Sequence, residues 1–280
     1  MRLAPVLLAL LGLSACTASR PAAVPAPPGV RHENLNAVLW MQTAAEYRAN
    51  SLSVYRGAQA ALGPALADTA WSAEPAQTAR GGFGALPPAV VLDADETVLD
   101  NSAYQARLVA RDTVYDGRTW AAWVAEERAG AVPGALDYAR DAARRGVRVV
   151  YLTNRRADEE ASTARTLEAL GFPVADGDAL LTRGERPEWA ASDKGPRRAF
   201  VAARYRVVQY VGDNLGDFVS GENATVEARA ALAASYEEFW GTRWFMLANP
   251  TYGSWEGALT QGTATPEAAR AAKVRALRQR

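Results

Sequence analysis

Two aspartates one residue apart, Asp93 and Asp95, stand directly after the apolar run Ala89-Val90-Val91-Leu92. Such a run leading into paired acids reads as a buried strand that delivers carboxylates to its carboxyl end. If strand alternation persists, Leu92 and Ala94 point one way and both acids the other, into one crevice. Two carboxylates taken out of water side by side repel and lose hydration, and a divalent cation is the usual remedy. The spacing therefore suggests a metal before it suggests a reaction. An exposed acidic turn is the competing reading of a bare Asp-x-Asp. A calcium loop of the EF-hand type is set aside, because Val98 stands where that pattern needs Gly and Tyr104 where it needs Glu. Two more apolar runs end in polar side chains: Val147 to Leu152 runs into Thr153-Asn154, and Arg206 to Gly212 runs into Asp213 with Asp217 four residues on. Lys194 is one of only two lysines among 31 basic residues. A compact ammonium where a guanidinium fork would not fit is a mild pointer to function, against the plainer reading of a surface residue.

These residues need a scaffold that brings separate strand ends to one edge, and the rest of the chain supplies its pattern. Apolar residues at spacings of three and four predict one or two amphipathic helices over 34–66, with Leu35, Val38, Leu39 and Met41 as packing surface. Residues 68–88 are polar and Gly-rich and predict a loop, as do residues 101–117, which lack clear periodicity. Thr119 is placed as the cap of a short helix carrying Trp120 and Trp123, and Pro133 as the start of another that ends before Gly146. Helices over 157–170, 193–205 and about 224–239 alternate with strands at 147–154, 180–181, 206–212 and 244–247, and a last helix starts at Thr265-Pro266. Strands alternating with helices imply an α/β domain with a parallel sheet. In such a sheet Asp93, Asp95, Thr153, Asn154, Asp213 and Asp217 converge on one edge.

At 280 residues, 49% of them hydrophobic, the chain can bury one sizeable core. Its 31 basic and 31 acidic residues cancel and no basic run breaks the balance, which points away from a nucleic-acid polymer as partner. Arg2 followed by the short apolar stretch 3–13 reads as an export signal, too brief to span a bilayer. Leu13-Ser14-Ala15-Cys16 resembles the bacterial lipobox, which makes Cys16, the only cysteine, the expected site of lipidation. Thr17 stands where an aspartate would signal inner-membrane retention, so the expected destination is the bacterial outer membrane. The expected divisions are a signal peptide over 1–15, a lipidated tether over 16–31, a helical segment over 32–86, a core over 87–262 and a terminal helix over 263–280.

Asp-x-Asp-x-Thr, the Thr153-Asn154 strand end, Lys194 and Gly-Asp-x-x-x-Asp together resemble the four motifs of the haloacid dehalogenase (HAD) superfamily of phosphatases. More narrowly, the stretches 92–102, 35–47, 210–218 and 249–257 look like the class C acid phosphatases of the lipoprotein e(P4) type. That resemblance implies a HAD-like Rossmannoid parallel sheet flanked by helices, with a smaller helical portion from the N-terminal segment and insertions. It implies Asp93 as nucleophile and Asp95 as acid and base, with Thr153, Asn154 and Lys194 on the phosphate. It implies one Mg2+ per subunit on the Asp93 side chain, the Asp95 carbonyl and Asp213, with Asp217 and Thr97 behind them. Trp120 and Tyr252, with Asn101 nearby, would hold the flat part of a phosphomonoester: a 5′-nucleotide, a nicotinamide mononucleotide or an aryl phosphate. A homodimer is one assembly the resemblance leaves open.

Absences agree. The single histidine, His32, lacks the Arg-His-Gly context of a histidine phosphatase, the single cysteine belongs to the lipobox, and no Gly-x-x-x-x-Gly-Lys loop occurs. A non-catalytic outer-membrane lipoprotein that binds haem or another flat ligand is the contrasting reading, although His32 and three methionines give haem iron few ligands. Phosphoryl transfer to an alcohol in place of water would use the same residues.

Overall fold

Five strands lie side by side in one sheet, in the order β5-β4-β1-β6-β7, and every neighbouring pair is parallel. The computed structural model describes residues 32–175 and 177–278. The expected signal peptide, Cys16 and the tether fall outside the described residues. Among the described residues no helix is long and apolar enough to cross a membrane.

In chain order the elements are α1 (Leu35–Thr43), α2 (Ala45–Ala67), α3 (Pro75–Arg80), β1 (Pro88–Leu92), β2 (Leu99–Asp100), α4 (Ser102–Arg111), α5 (Gly117–Ala125), β3 (Gly130–Ala131) and α6 (Ala135–Arg144). There follow β4 (Arg148–Arg156), α7 (Glu160–Leu170), β5 (Leu180–Arg183), α8 (Gly195–Ala202), β6 (Arg206–Gly212), α9 (Val226–Ala234), β7 (Trp244–Met246), α10 (Ser254–Thr260) and α11 (Pro266–Ala276). β2 and β3 form a small antiparallel ribbon of their own.

Both faces of the sheet are covered, which is why its strands are apolar throughout. Alternation divides them: Val90 and Leu92 of β1 with Val149 and Tyr151 of β4 meet α2, α6 and α7 through Ala58, Leu62, Tyr138 and Leu167. Ala89 and Val91 with Val150 and Leu152 face the other way, onto Trp189, Val201, Phe218 and Trp244. Burying a side chain such as Leu62, which is 0% exposed, is worth about 1.5–3 kcal/mol. α2 is thus part of the main core, and it also braces the loop after β1, since Tyr55 Oη donates to the Thr97 carbonyl at 2.7 Å.

Several local expectations are corrected. Residues 102–111 are helical, not a loop: the face buried by α4 comprises Ser102, Tyr104, Gln105, Leu108 and Val109, and its polar members hide the apolar period. The segment 68–88 contains α3, started by Pro75 and capped by the Glu74 side chain, with Gln77 fully buried and donating to the carbonyls of Ala202 and Tyr205 at 2.6 and 2.7 Å. One and a half turns are too short to show a period. The cap of α5 is Asp116, whose carboxylate accepts from the N–H groups of Arg118 and Thr119, so Thr119 sits inside the helix. The helix expected over 224–239 stops at Ala234. Of the proposed stripe on α1, Val38 and Met41 are buried, whereas Leu35 and Leu39 are exposed because α1 is covered along only one edge.

Candidate active site

β1 sits between β4 and β6, with Leu92 level with Tyr151 and Val211, so Asp93, Thr153 and Asp213 follow within two residues of that shared level. The strand does not run on through Asp95 as alternation would require. Asp93 N–H makes one more ladder bond, to the Val211 carbonyl at 3.0 Å, and then the chain coils: Val98 N–H donates to the Ala94 carbonyl at 2.9 Å. Glu96 takes a left-handed φ of 57° in this turn, a conformation that side chains seldom adopt. Its carboxyl is buried and accepts the Asn101 N–H at 3.0 Å.

Carboxylate oxygens of Asp93, Asp213 and Asp217 lie within 4.8 Å of one another. Lys194, at the N-cap of α8 and 5% exposed, donates to Asp93 Oδ1 and, at 2.7 Å, to Asp217 Oδ1. Asp217 Oδ2 accepts the backbone N–H groups of Asp213 and Asn214 at 3.1 and 2.9 Å. Gly212 permits this packing, because a Cβ there would fall 2.3 Å from Asp217 Oδ2. The Thr97 hydroxyl lies between Asp93 Oδ2 and Asp213 Oδ1, at 3.2 and 3.1 Å. Asn249, which opens the stretch 249–257 but to which the sequence assigns no role, donates to Asp213 Oδ2 at 2.9 Å and is itself held by Thr251 N–H and Oγ1 at 2.9 and 2.6 Å.

Burial pushes the Asp93 carboxyl up to about 6, with Lys194 pulling it back and Asp217 and Asp95 adding to the rise. Burial, then Asp93 and Asp217, raises Asp213 well above the carboxylate range. Desolvation would lower the Lys194 ammonium, but Asp217 and Asp93 outweigh it and the net shift is upward. Three carboxylates thus face a single ammonium in a buried space. A hard divalent cation with oxygen ligands fits this donor set. Asp93 and Asp213 could hold it, with Asp217 beside them bound to Lys194 and to the backbone N–H groups of Asp213 and Asn214.

A cleft of about 930 Å³ opens over these groups, and Asp93, Asp95, Asn154, Lys194, Asp213 and Asp217 all line it. Trp120 and Tyr252 stand on its wall. Two residues expected at the substrate, Thr153 and Asn101, do not line it. Thr97 and Thr153 are fully buried, and Thr153 Oγ1 accepts the Arg155 N–H at 3.1 Å. Asn101, expected beside the substrate ring, is 0% exposed; its Nδ2 donates to Asp95 Oδ1 at 2.9 Å and its Oδ1 accepts from Trp123 Nε1 at 2.8 Å. Its amide is spent on holding Asp95 and α5, so it is not a wall of the ring site.

Two arginines were invisible as site residues. Arg155 binds Asp95, with Nη2 2.7 Å from Oδ1. Arg197, fully buried, donates to the Thr153 carbonyl and to Asn154 Oδ1, the latter at 2.6 Å, and burial lowers its guanidinium to about 10. Among so many arginines, only adjacency to Thr153-Asn154 could have drawn attention to Arg155.

Acids from two strand ends and a buried ammonium meet at the carboxyl edge of a parallel α/β sheet, where ligands bind in such folds, and the arrangement resembles that of HAD-type phosphatases. Residues 26–255 match the family described as HAD superfamily, subfamily IIIB (acid phosphatase), and the chain belongs to that family. It is accordingly a phosphoric monoester hydrolase. The class C acid phosphatase from Bacillus anthracis is 31% identical over 88% of this chain and 96% of its own, with a TM-score of 0.74. The same phosphatase solved with tungstate bound gives 30% identity, the same coverage and a TM-score of 0.75.

Proposed function

We propose that this acid phosphatase hydrolyses small phosphomonoesters, among them 5′-nucleotides, nicotinamide mononucleotide and aryl phosphates, through an aspartyl-phosphate on Asp93. An oxygen of Asp93 bonds to phosphorus as the ester P–O bond breaks, and the leaving oxygen keeps that electron pair and takes a proton from Asp95. A water then attacks phosphorus, Asp95 takes one of its protons, and the Asp93–phosphorus bond breaks to release inorganic phosphate. Lys194 and the Asn154 amide, both on the cleft lining, bind the phosphoryl oxygens. Asp93, the Asp95 carbonyl and Asp213 hold Mg2+, which when bound neutralises charge on those oxygens. Asp217 and Thr97 orient Lys194 and the ligand carboxylates. The observation that carries the reading is Lys194, buried against Asp93 within the same carboxylate cluster as Asp213.

Trp120 and Tyr252 on the cleft wall suit a flat leaving group, since aromatic faces stack on any planar ring. Tungstate, bound by the Bacillus anthracis relative, is a tetrahedral oxyanion of the shape that this site is proposed to receive. The lipobox pattern at Cys16 supports anchoring at the bacterial outer membrane.

The test is hydrolysis of p-nitrophenyl phosphate at mildly acidic pH, with and without chelator, by the wild type and Asp93→Asn. Turnover is expected to vanish on chelation, to return with Mg2+, and to fall by about 10⁴-fold or more in the variant. Undiminished hydrolysis by a correctly folded Asp93→Asn protein overturns the mechanism.

A further inference from the structure

Arg155 is one of three buried cations at the site, with Lys194 and Arg197, and the proposed reaction gives it no task. Its side chain is 1% exposed and meets Asp95 at the lining of the cleft. Nη2 and Nε lie 2.7 and 3.0 Å from Asp95 Oδ1, and Asn101 Nδ2 lies 2.9 Å from the same oxygen. Oδ2 has only the longer contact to Arg155 Nε, at 3.2 Å. The two oxygens of one carboxyl group are therefore in unlike surroundings: Oδ1 is held by three donors and Oδ2 is nearly free. Arg155 cannot follow Asp95 if it moves. Its Nη1 donates to Thr163 Oγ1 at 3.1 Å, and that hydroxyl is tied to the Glu159 carbonyl at 2.8 Å at the start of α7. Its Nη2 is also 3.4 Å from Asn101 Oδ1, which Trp123 holds in turn.

We infer that Arg155 is a positioning residue for proton transfer, gripping Asp95 by Oδ1 so that Oδ2 delivers the proton to the leaving oxygen. The inference rests on the reading of Asp95 as proton donor. When the ester bond breaks, the leaving oxygen receives its proton from Asp95, and the carboxylate left behind faces a guanidinium that is already in place. The energetic logic is that of preorganisation: the donor's orientation is fixed before the substrate arrives, and no side chain has to be ordered during the reaction. Arg155 also stands 5.5 Å from the centre of the Trp120 ring. The proton donor and the wall proposed to receive the leaving group are thus joined through one rigid side chain.

Such a role has a signature that ordinary structural damage lacks. Proton donation matters for a poor leaving group such as an alkoxide and hardly at all for a good one such as 2,4-dinitrophenolate. The quantity to measure is kcat/KM, which reports the steps through cleavage of the ester bond, for a series from 2,4-dinitrophenyl through p-nitrophenyl and phenyl to a simple alkyl phosphate. R155K is expected to lose about 3-fold or less on the dinitrophenyl ester and about 30-fold or more on the alkyl ester. Thr163→Val, which removes the far anchor without touching Asp95, is expected to show the same trend with a smaller slope. Losses equal across the series in both variants overturn the proposal, and if R155K does not fold, Thr163→Val alone decides it. Asp95→Asn separates the two levels of the argument. A flat profile in that variant removes the reading of Asp95 as donor and this inference with it. A steep profile in Asp95→Asn beside flat ones in R155K and Thr163→Val removes only the role of Arg155.

Discussion

Metal-free protein should be stabilised by acid through Asp93, against the usual behaviour of carboxylates. Its carboxyl stands at about 6 in the folded chain because burial disfavours the charged form, whereas the ordinary aspartate value is 3.8. A group raised on folding contributes stability that is fully present below the unfolded value and is lost as pH rises through the folded one. A rise of about two units at about 1.4 kcal/mol each amounts to about 3 kcal/mol, lost between about pH 4 and about pH 6. Asp213, raised by the same burial and by Asp93 and Asp217, acts in the same direction. The assay is urea denaturation in chelator across that pH range, for wild type and Asp93→Asn in parallel. The amide stays neutral, so the difference in unfolding free energy between the two proteins reports the titration of Asp93 together with its push on Asp213. Wild type should lose ground to the variant by about 3 kcal/mol as pH rises. Saturating Mg2+ should reverse the trend for wild type, because a cation binds the deprotonated ligands and its stabilisation grows with pH. A difference that stays flat over this range, or one that runs the other way, refutes the argument that these acids are buried without sufficient compensation.

Asn249→Ala removes the bond that fixes Asp213 Oδ2 and should raise the Mg2+ concentration needed for half-maximal activity by about 10- to 100-fold, read from a metal titration of turnover. Gly212→Ala drives a methyl group into Asp217, so Lys194 loses its second anchor; a stability loss of about 1–3 kcal/mol and a fall in kcat are expected from denaturation curves and steady-state kinetics. Trp120→Ala should raise KM for a 5′-nucleotide by about 10-fold while leaving a small alkyl phosphate nearly unaffected, and equal effects on both would remove the stacking role. Cys16→Ser should release the protein from the membrane fraction, and unchanged fractionation would remove the lipid anchor.

The α/β class and the convergence of the acids were legible along the chain, because both follow from local pattern. Val90 and Leu92 alternate with Ala89 and Val91 as a strand buried on both faces must, and a parallel sheet then brings Asp93, Thr153 and Asp213 to one edge. Helix α4 stayed hidden because Ser102 and Gln105 occupy buried positions and blur the apolar period. Which atoms meet there was settled by packing. That Asn101 faces Asp95 and Trp123 rather than the cleft depends on the left-handed turn at Glu96 and on the docking of α5. That Arg155 and Asn249 belong to the site depends on distances between elements 60 and 36 residues apart in the chain from the acids they hold. Periodicity reports the face on which a side chain lies; the partner it finds across that face is fixed by packing, which no spacing along the chain encodes.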